Sequence, residues 1–312
     1  MSNQTKPRFS LLLLTALLAG SLVLSACAPS SAVANPPVNT VPPATGDSTP
    51  MPVNPTASQA AEIPTAVPTT KPSPTTGTEV TFGPFSLVVP QEVASGASGS
   101  DAPRNDSDDA AWWQKTPGHL QVMLDDYYVL QDKLHQPQIY IYPAQAYAEM
   151  VPTAFESIRR LDNILYGSDG SISEDELPAV PFFNAQQLFA TNIQTVSFQN
   201  GSGVRFLTEY AQTNAPVNNH ELFYQFQGVT RDGNYYIVAI FPVTAPVLAE
   251  TSDAAAVLPT DGIAYPDISD TNADWAGYYT AVSNLLDSTS PDTFTPSINQ
   301  LDMLIASMQI AP

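Results

Sequence analysis

Residues 222–241 read LFYQFQGVTRDGNYYIVAIF, and this stretch decides the fold. It consists of two apolar runs, Leu222 to Val229 and Tyr235 to Phe241, on either side of the pair Asp232-Gly233. An Asp-Gly pair between apolar runs is a strong local signal for a β-hairpin, because both central residues of a type I′ turn need positive φ. The stretch therefore predicts two antiparallel strands joined by a tight turn.

The two runs differ in how their polar residues are distributed. In the first run, Leu222, Tyr224 and Phe226 share one face of the predicted strand, whereas Gln225 and Gln227 lie on the other. The second run is apolar on both faces, which is typical of a strand that is covered on both sides. We therefore expect residues 235–241 to form a central strand of the sheet.

Upstream segments extend this hairpin into a β-meander. Ile193 to Phe198 and Val204 to Tyr210 are apolar runs separated by Asn200-Gly201, a second pair that favours a hairpin. Further strands are predicted at Phe85 to Val89, Leu120 to Leu124 and Gln138 to Tyr142. The sequence thus predicts an antiparallel sheet with the meander in its C-terminal half.

Three helices are predicted from apolar residues at helical spacing. They cover Pro152 to Leu165, Ala273 to Leu286, and the C-terminal residues from Pro296 onward. In the last helix, Thr295 is suited to the N-cap and Pro296 to the first helical position. Its predicted buried face consists of Ile298, Leu301, Leu304, Ile305 and Met308.

These elements define an α+β fold, with a mostly antiparallel sheet, a C-terminal β-meander and flanking helices. Their order resembles the PsbP/Mog1-like α/β sandwich over roughly Val80 to Ile310, most clearly at residues 301–308, LDMLIASM. The long polar stretch Thr251 to Asn272 departs from the compact form of that fold. Members of the fold mostly act as binding or assembly factors, so the resemblance implies such a role.

The composition divides the chain at about residue 79. Residues 79–312 are long enough for a single domain with a substantial core, and the polar stretches Ser95 to Asp109 and Thr251 to Asn272 are interpreted as its surface loops. Residues 28–78 hold 12 Pro and 10 Thr but no aromatic residue. Such a segment cannot bury enough apolar surface to fold, which predicts a disordered linker.

The N-terminal residues resemble the lipobox signal peptide of bacterial lipoproteins. Two basic residues precede an apolar run from Phe9 to Val23, and Leu24-Ser25-Ala26-Cys27 follows it. The resemblance implies that residues 1–26 are a signal peptide, that Cys27 is lipidated, and that residues 27–78 join this anchor to the domain. An ordinary cleaved signal and an uncleaved transmembrane helix are the alternatives, and the helix needs roughly 20 apolar residues.

This anchor predicts a location at the cell membrane, facing the extracytoplasmic side. Cys27 is the only cysteine of the chain, so its lipidation leaves no thiol for disulfides, catalysis or metal binding. The net charge of −20 becomes −22 when Lys6 and Arg8 are removed with the signal peptide. A chain this acidic is not expected to bind nucleic acid, which requires a positive surface.

One acidic segment suggests a calcium site. Residues 169–176, DGSISEDE, resemble the second half of an EF-hand loop. The candidate Ca²⁺ ligands are Asp169, Ser171, Ser173 and Glu176. The positions of the first and third ligands hold Leu165 and Gly167, which have no side-chain oxygen, so an acidic connection between a helix and a loop is the alternative. No other cofactor is indicated.

Paired aromatic residues are the candidates for ligand binding. Trp112 and Trp113 directly follow an acidic loop, and Tyr140 and Tyr142 share one face of a predicted strand that is suited to line a cleft. The alternative is that these rings belong to the hydrophobic core, where aromatic residues at strand spacing are common.

Together these features predict a surface-tethered lipoprotein with a binding or assembly role, whose partner is an envelope protein or a small ligand. A cell-envelope hydrolase with a dispersed acid/base site is one alternative, and a solute-binding receptor is another. Two facing carboxylates with separated pKa values are expected of the hydrolase, and two lobes of the receptor. The sequence contains no catalytic motif and favours the non-enzymatic role.

Overall fold

A computed structural model describes residues 76–129, 131–167, 172–253 and 255–311. The predicted signal peptide, Cys27 and the linker up to residue 75 lie outside these residues. Within the described part, ten strands form two antiparallel sheets and four α-helices pack against them. The predicted α+β fold with a mostly antiparallel sheet is therefore confirmed.

The small sheet contains β1 (Gly77–Phe82), β2 (Phe85–Pro90) and β10 (Gln309–Ile310). The large sheet contains β3 (Gly96–Ala102), β4 (His119–Asp125), β5 (Gln138–Pro143), β6 (Gln186–Phe198), β7 (Gly201–Ala211), β8 (Phe223–Thr230) and β9 (Tyr235–Pro242). The α-helices are α1 (Ala144–Met150), α2 (Pro152–Tyr166), α3 (Trp275–Ser288) and α4 (Ile298–Ser307). Short 3₁₀ turns lie at Trp112–Gln114, Glu174–Glu176 and Pro291–Thr293.

The large sheet is built around the predicted meander. Its strand order is β3-β4-β5-β9-β8-β7-β6, so β6 to β9 are consecutive neighbours and β9 is the middle strand. Tyr236, Val238 and Ile240 pack on one side of β9, and Ile237, Ala239 and Phe241 pack on the other. The prediction of a central strand covered on both faces is confirmed.

Helices cover both faces of the large sheet. On one face α1 lies over β5 and β9, and α2 lies over β7 and β8. On the other face, α3, α4 and the small sheet enclose a separate hydrophobic core. The buried residues of the two longer helices on this face recur every three or four positions, as helical packing requires: Tyr278, Val282 and Leu286 in α3, and Ile298, Leu301, Leu304 and Ile305 in α4.

The first and last strands meet in the small sheet. Strands β1 and β2 form a hairpin in which Phe82 lies opposite Phe85 and Gly77 lies opposite Pro90. Strand β10 pairs with the other side of β2, so β1 is at the edge of this sheet. The described chain thus enters and leaves the fold through the same sheet.

The hairpin turns differ in detail from the type I′ prediction. In the β6–β7 hairpin, Phe198 pairs with Gly201, so the two turn residues are Gln199 and Asn200, one position earlier than expected. In the β8–β9 hairpin, Gly233 has positive φ but Asp232 does not. The Asp232 carboxylate instead accepts hydrogen bonds from the side chain of Thr230 and the backbone of Asn234, which stabilises a longer loop.

The interpretation of Ser95 to Asp109 as a surface loop is wrong for its first half. Residues 96–102 form β3, which pairs along its whole length with β4. Glycine at position 99 lets Phe82 of β1 pack against this strand, because a Cβ there would lie 2.5 Å from the ring of Phe82. The small residues of β3 therefore let β1 pack closely against the edge of the large sheet.

The C-terminal helix also begins later than predicted. Helix α4 starts at Ile298 with Ser297 at its N-cap, so Thr295 is not the N-cap and Pro296 is not the first helical residue. The backbone of Thr295 is already used, since it exchanges hydrogen bonds with Thr244. The predicted buried face of this helix is confirmed apart from Met308, which is buried but follows the helix.

The large sheet is wider than the α1–α2 layer that covers one of its faces. Beyond α2, the hairpin end of β6 and β7 exposes polar side chains on this face, and the face of β4 is partly exposed beyond α1. None of the helices in the described ranges is both long and apolar enough to cross a membrane. The margin beside α2 forms the cavity described next.

Candidate functional site

A groove of about 1150 Å³ lies between the C-terminal half of α2 and the β6–β7 hairpin. We call it the α2 groove. Its lining includes Asp162, Asn163 and Tyr166 from α2, and Thr195, Ser197 and Ser202 from the hairpin. Val196 and Phe198 point into the core on the opposite face, so Thr195 and Ser197 face the groove.

The end of α2 is fixed by a glycine. The backbone N–H of Gly167 donates to the carbonyl oxygen of Asn163 at 2.8 Å. A Cβ at position 167 would come within 2.3 Å of that oxygen. Glycine thus lets the chain turn sharply away from the helix, and Tyr166 remains exposed at the end of the groove.

Arg160 connects α2 to the segment 172–178, which forms one wall of the groove. Arg159 and Arg160 both pair with Glu156, at 2.6 and 3.1 Å, and their hydrogen bonds lower the pKa of that carboxyl to about 2. Arg160 also donates to the backbone carbonyl oxygens of Asp175 and Leu177, at 2.6 and 2.9 Å. Both guanidinium groups are therefore already engaged with protein acceptors.

The end of this wall, at Pro178, is hydrogen-bonded to the large sheet. Gln225 and Gln227 are buried on β8, and their side-chain amides donate to the carbonyl oxygen of Pro178, at 3.2 and 2.9 Å. The two glutamines that make one face of β8 polar are therefore buried, and they attach the wall to the sheet. Because buried amide hydrogen bonds fix geometry, the wall that ends at Pro178 is expected to be rigid.

The described residues of the predicted calcium segment, 172–176, belong to the same wall. Asp169 and Ser171 lie outside the described residues. Ser173 and Glu176 form a capping box: Glu176 accepts from the backbone and hydroxyl of Ser173, at 3.0 and 2.8 Å, which lowers the pKa of Glu176. These two side chains cap a 3₁₀ turn, and the described residues contain no group of three His, Cys, Asp or Glu side chains arranged to hold a metal ion.

Tyr140 and Tyr142 lie side by side on β5, with ring centroids 6.0 Å apart. Tyr142 is buried, with ring centroids 4.3 Å from Tyr147 and 4.4 Å from His119. Tyr140 is half-buried beside Phe182, donates its hydroxyl to Gln138, and has a pKa raised to about 12 by burial. Tyr140 therefore keeps part of its ring exposed, whereas Tyr142 belongs to the core beneath α1.

Trp112 and Trp113 lie in a 3₁₀ turn between β3 and β4. Their rings meet edge to face at 5.4 Å, and Trp112 is 43% exposed. Among the aromatic contacts of the described residues, each of these rings contacts only the other. The structure therefore does not join the tryptophan pair to the tyrosine pair in one aromatic cluster.

A second cavity, of about 380 Å³, lies between α3 and β6 and is lined by two carboxylates. Burial raises the pKa of Glu174, and the nearby Asp287 raises it further. Asp287 however accepts hydrogen bonds from the hydroxyl of Thr191 and the backbone of Asn192, both at 2.6 Å. This carboxylate fixes the irregular segment of β6, and both acidic residues remain exposed to solvent.

Sequence reasoning missed the groove residues of α2 and the hairpin. Thr195 and Ser197 were visible only as polar residues alternating within a predicted strand, and Tyr166 as the residue that precedes Gly167. Their assembly depends on where α2 crosses the sheet, which no local pattern specifies. Searches of family models, curated proteins and solved structures found no match to this chain.

Proposed function

We propose that this chain is a lipid-anchored binding protein on the extracytoplasmic side of the membrane, and that its ligand occupies the α2 groove. The observation that carries the proposal is the groove itself, which has a volume of about 1150 Å³ and a lining of polar, charged and aliphatic side chains. Ligand sites are typically concave and occupy roughly 300–1,000 Å³. The resemblance to the PsbP/Mog1-like sandwich supports a binding or assembly role by analogy.

The hydroxyl groups in the groove favour binding over hydrolysis. A catalytic serine needs a general base within hydrogen-bonding distance. Ser197 and Ser202 instead lie 3.3 Å apart and share a hydrogen bond. Their arrangement provides donors and acceptors for a ligand, and among the described residues neither hydroxyl is hydrogen-bonded to a base that would activate it as a nucleophile.

The anchor is tested by replacing Cys27 with serine. Serine cannot accept the thioether-linked lipid, and a lipidated chain needs its acyl chains for stable membrane attachment. We expect Cys27→Ser to move from the membrane fraction to the soluble fraction, as measured by fractionation and immunoblotting. Ser25→Ala, which keeps a small residue before the cysteine, should remain with the membrane. Full membrane retention of Cys27→Ser would reject the lipid anchor.

The groove is tested by photo-crosslinking in intact cells. A photoreactive amino acid at Thr195, which lines the groove and is exposed, should give a defined adduct with the bound component. The same group at Glu92, which is exposed next to the small sheet, should give none. Adduct mass is measured after purification. Equal labelling at both positions, or none at Thr195, would contradict binding in the groove.

A further inference from the structure

We propose that the α2 groove binds a neutral, hydroxyl-rich chain, that is, an oligosaccharide. This inference rests on the proposed function and specifies its ligand. The groove volume of about 1150 Å³ is close to the upper end of the range for ligand pockets, which is roughly 300–1,000 Å³. Its size is therefore suited to an extended ligand of several linked units.

The hairpin side of the groove presents hydroxyl groups. Thr195, Ser197 and Ser202 each carry an oxygen that can both donate and accept a hydrogen bond. Sugar hydroxyls have the same dual capacity, so each contact can form in either direction. A surface of neutral hydroxyls complements a polyol better than it complements a charged or an apolar ligand.

The α2 side adds acceptors and excludes anions. Asp162 and Asn163 contribute a carboxylate and an amide, and the groove lies at the C-terminal end of α2, where backbone carbonyl oxygens and the helix dipole are negative. The lining carboxylates Asp162, Asp175 and Glu176 outnumber the guanidinium groups of Arg159 and Arg160, which also share Glu156. The groove therefore attracts hydrogen-bond donors such as sugar hydroxyls, and a ligand that carries several negative charges would be repelled.

Tyr166 supplies the apolar contact that a sugar ring needs. Its side chain is 70% exposed at the end of the groove. Sugar rings have a hydroxylated rim and an apolar C–H face, and an aromatic ring with a polar tip matches both. Phe155 is a natural comparison, because it lies three helical turns earlier on the same side of α2, is 56% exposed, and does not line the groove.

The test is calorimetric titration of the purified folded chain with three tetrasaccharides. Two are neutral, the β-1,4-linked N-acetylglucosamine tetramer and maltotetraose, and the third is the anionic tetragalacturonate. We expect at least one neutral tetramer to bind and the anionic tetramer not to bind. Tyr166→Ala should weaken the affinity at least tenfold, and Phe155→Ala should change it less than twofold.

The results separate the ligand class from the groove itself. If neither neutral tetramer binds, or if tetragalacturonate binds more tightly, the neutral oligosaccharide is rejected, whereas an adduct at Thr195 in cells would still support ligand binding in the groove. If a neutral tetramer binds with equal loss in Tyr166→Ala and Phe155→Ala, the binding site lies elsewhere and both proposals fail. Selective loss in Tyr166→Ala supports both.

Discussion

Arg205→Met is expected to lower the free energy of unfolding by about 3–5 kcal/mol, the usual cost of breaking a buried ion pair from one side. Arg205 is only 5% exposed and points from β7 toward α4, where it bonds to both carboxylate oxygens of Asp302, at 3.1 and 3.2 Å. It also donates to the backbone carbonyl of Asn192 and to the side chain of Gln194. Methionine fills similar volume but removes every hydrogen bond from Arg205, so that Asp302 keeps only the one from the Tyr224 hydroxyl, at 2.8 Å.

The measurement is equilibrium unfolding in denaturant, with two comparisons. Arg159→Met removes an exposed ion pair and should cost less than about 1 kcal/mol, as surface pairs generally do. Arg205→Met/Asp302→Leu removes both charges and should recover part of the lost stability, because no uncompensated buried charge remains. If Arg205→Met is no more destabilising than Arg159→Met, the buried pair does not hold α4 on the sheet.

Glu209→Gln is expected to make stability less dependent on pH above about pH 4.3, the usual pKa of an unfolded glutamate. Glu209 is fully buried on β7, where one oxygen accepts from the backbone of Asn218 at 2.7 Å and the other has no partner among the described residues. Burial raises its pKa well above the usual range, Glu221 adds to the rise, and the Asn218 hydrogen bond only partly opposes it. The folded state thus favours the protonated acid.

The sign of the effect follows from proton linkage. A carboxyl whose pKa is higher in the folded state binds more protons when folded, so its stabilising contribution is complete below the unfolded pKa and decreases as pH rises. The slope is about 1.4 kcal/mol per pH unit between the unfolded pKa, about 4.3, and the folded pKa. Glutamine keeps the oxygen that accepts from Asn218 but does not ionise, so the variant should gain stability over the native chain as pH rises.

Thermal and denaturant unfolding at pH 4, 6 and 8 would measure this difference. Glu92→Gln, at an exposed position, is the matched control and should follow the native chain at each pH. Parallel pH profiles for Glu209→Gln and the native chain would show that Glu209 titrates normally. Such a result would contradict its burial as a neutral acid between β7 and the loop that follows it.

The meander was predictable because its signals are local. Alternation in residues 222–229, an apolar run in 235–241 and an Asp-Gly turn between them suffice to pair β8 with β9. The apolar run also predicted that β9 is an inner strand, because both of its faces are apolar. Only the turn geometry was missed, because it depends on the side chain of Asp232 as well as on backbone preference.

Other elements depend on contacts that local patterns do not contain. The segment GASGSDA at 96–102 has weak strand propensity, and it forms β3 because β4 offers a partner and Phe82 packs on Gly99. Arg205 and Asp302 are 97 residues apart in the chain, so their ion pair is invisible to spacing rules. The α2 groove could not be predicted from local patterns either, because it forms where the sheet extends beyond the helix that covers it.

The pairing of β1 has a mechanical consequence if the chain is anchored through its N-terminal side, as proposed. A pull from that side would reach the fold at Gly77, which lies opposite Pro90 at the open end of the β1–β2 hairpin. Force applied there peels the strand, breaking its hydrogen bonds one after another instead of shearing them together. Strand β1 would therefore yield before the large sheet and lengthen the tether by roughly 3.4 Å for each residue released. Unfolding of the edge strand would thus relieve the applied force and leave the α2 groove intact.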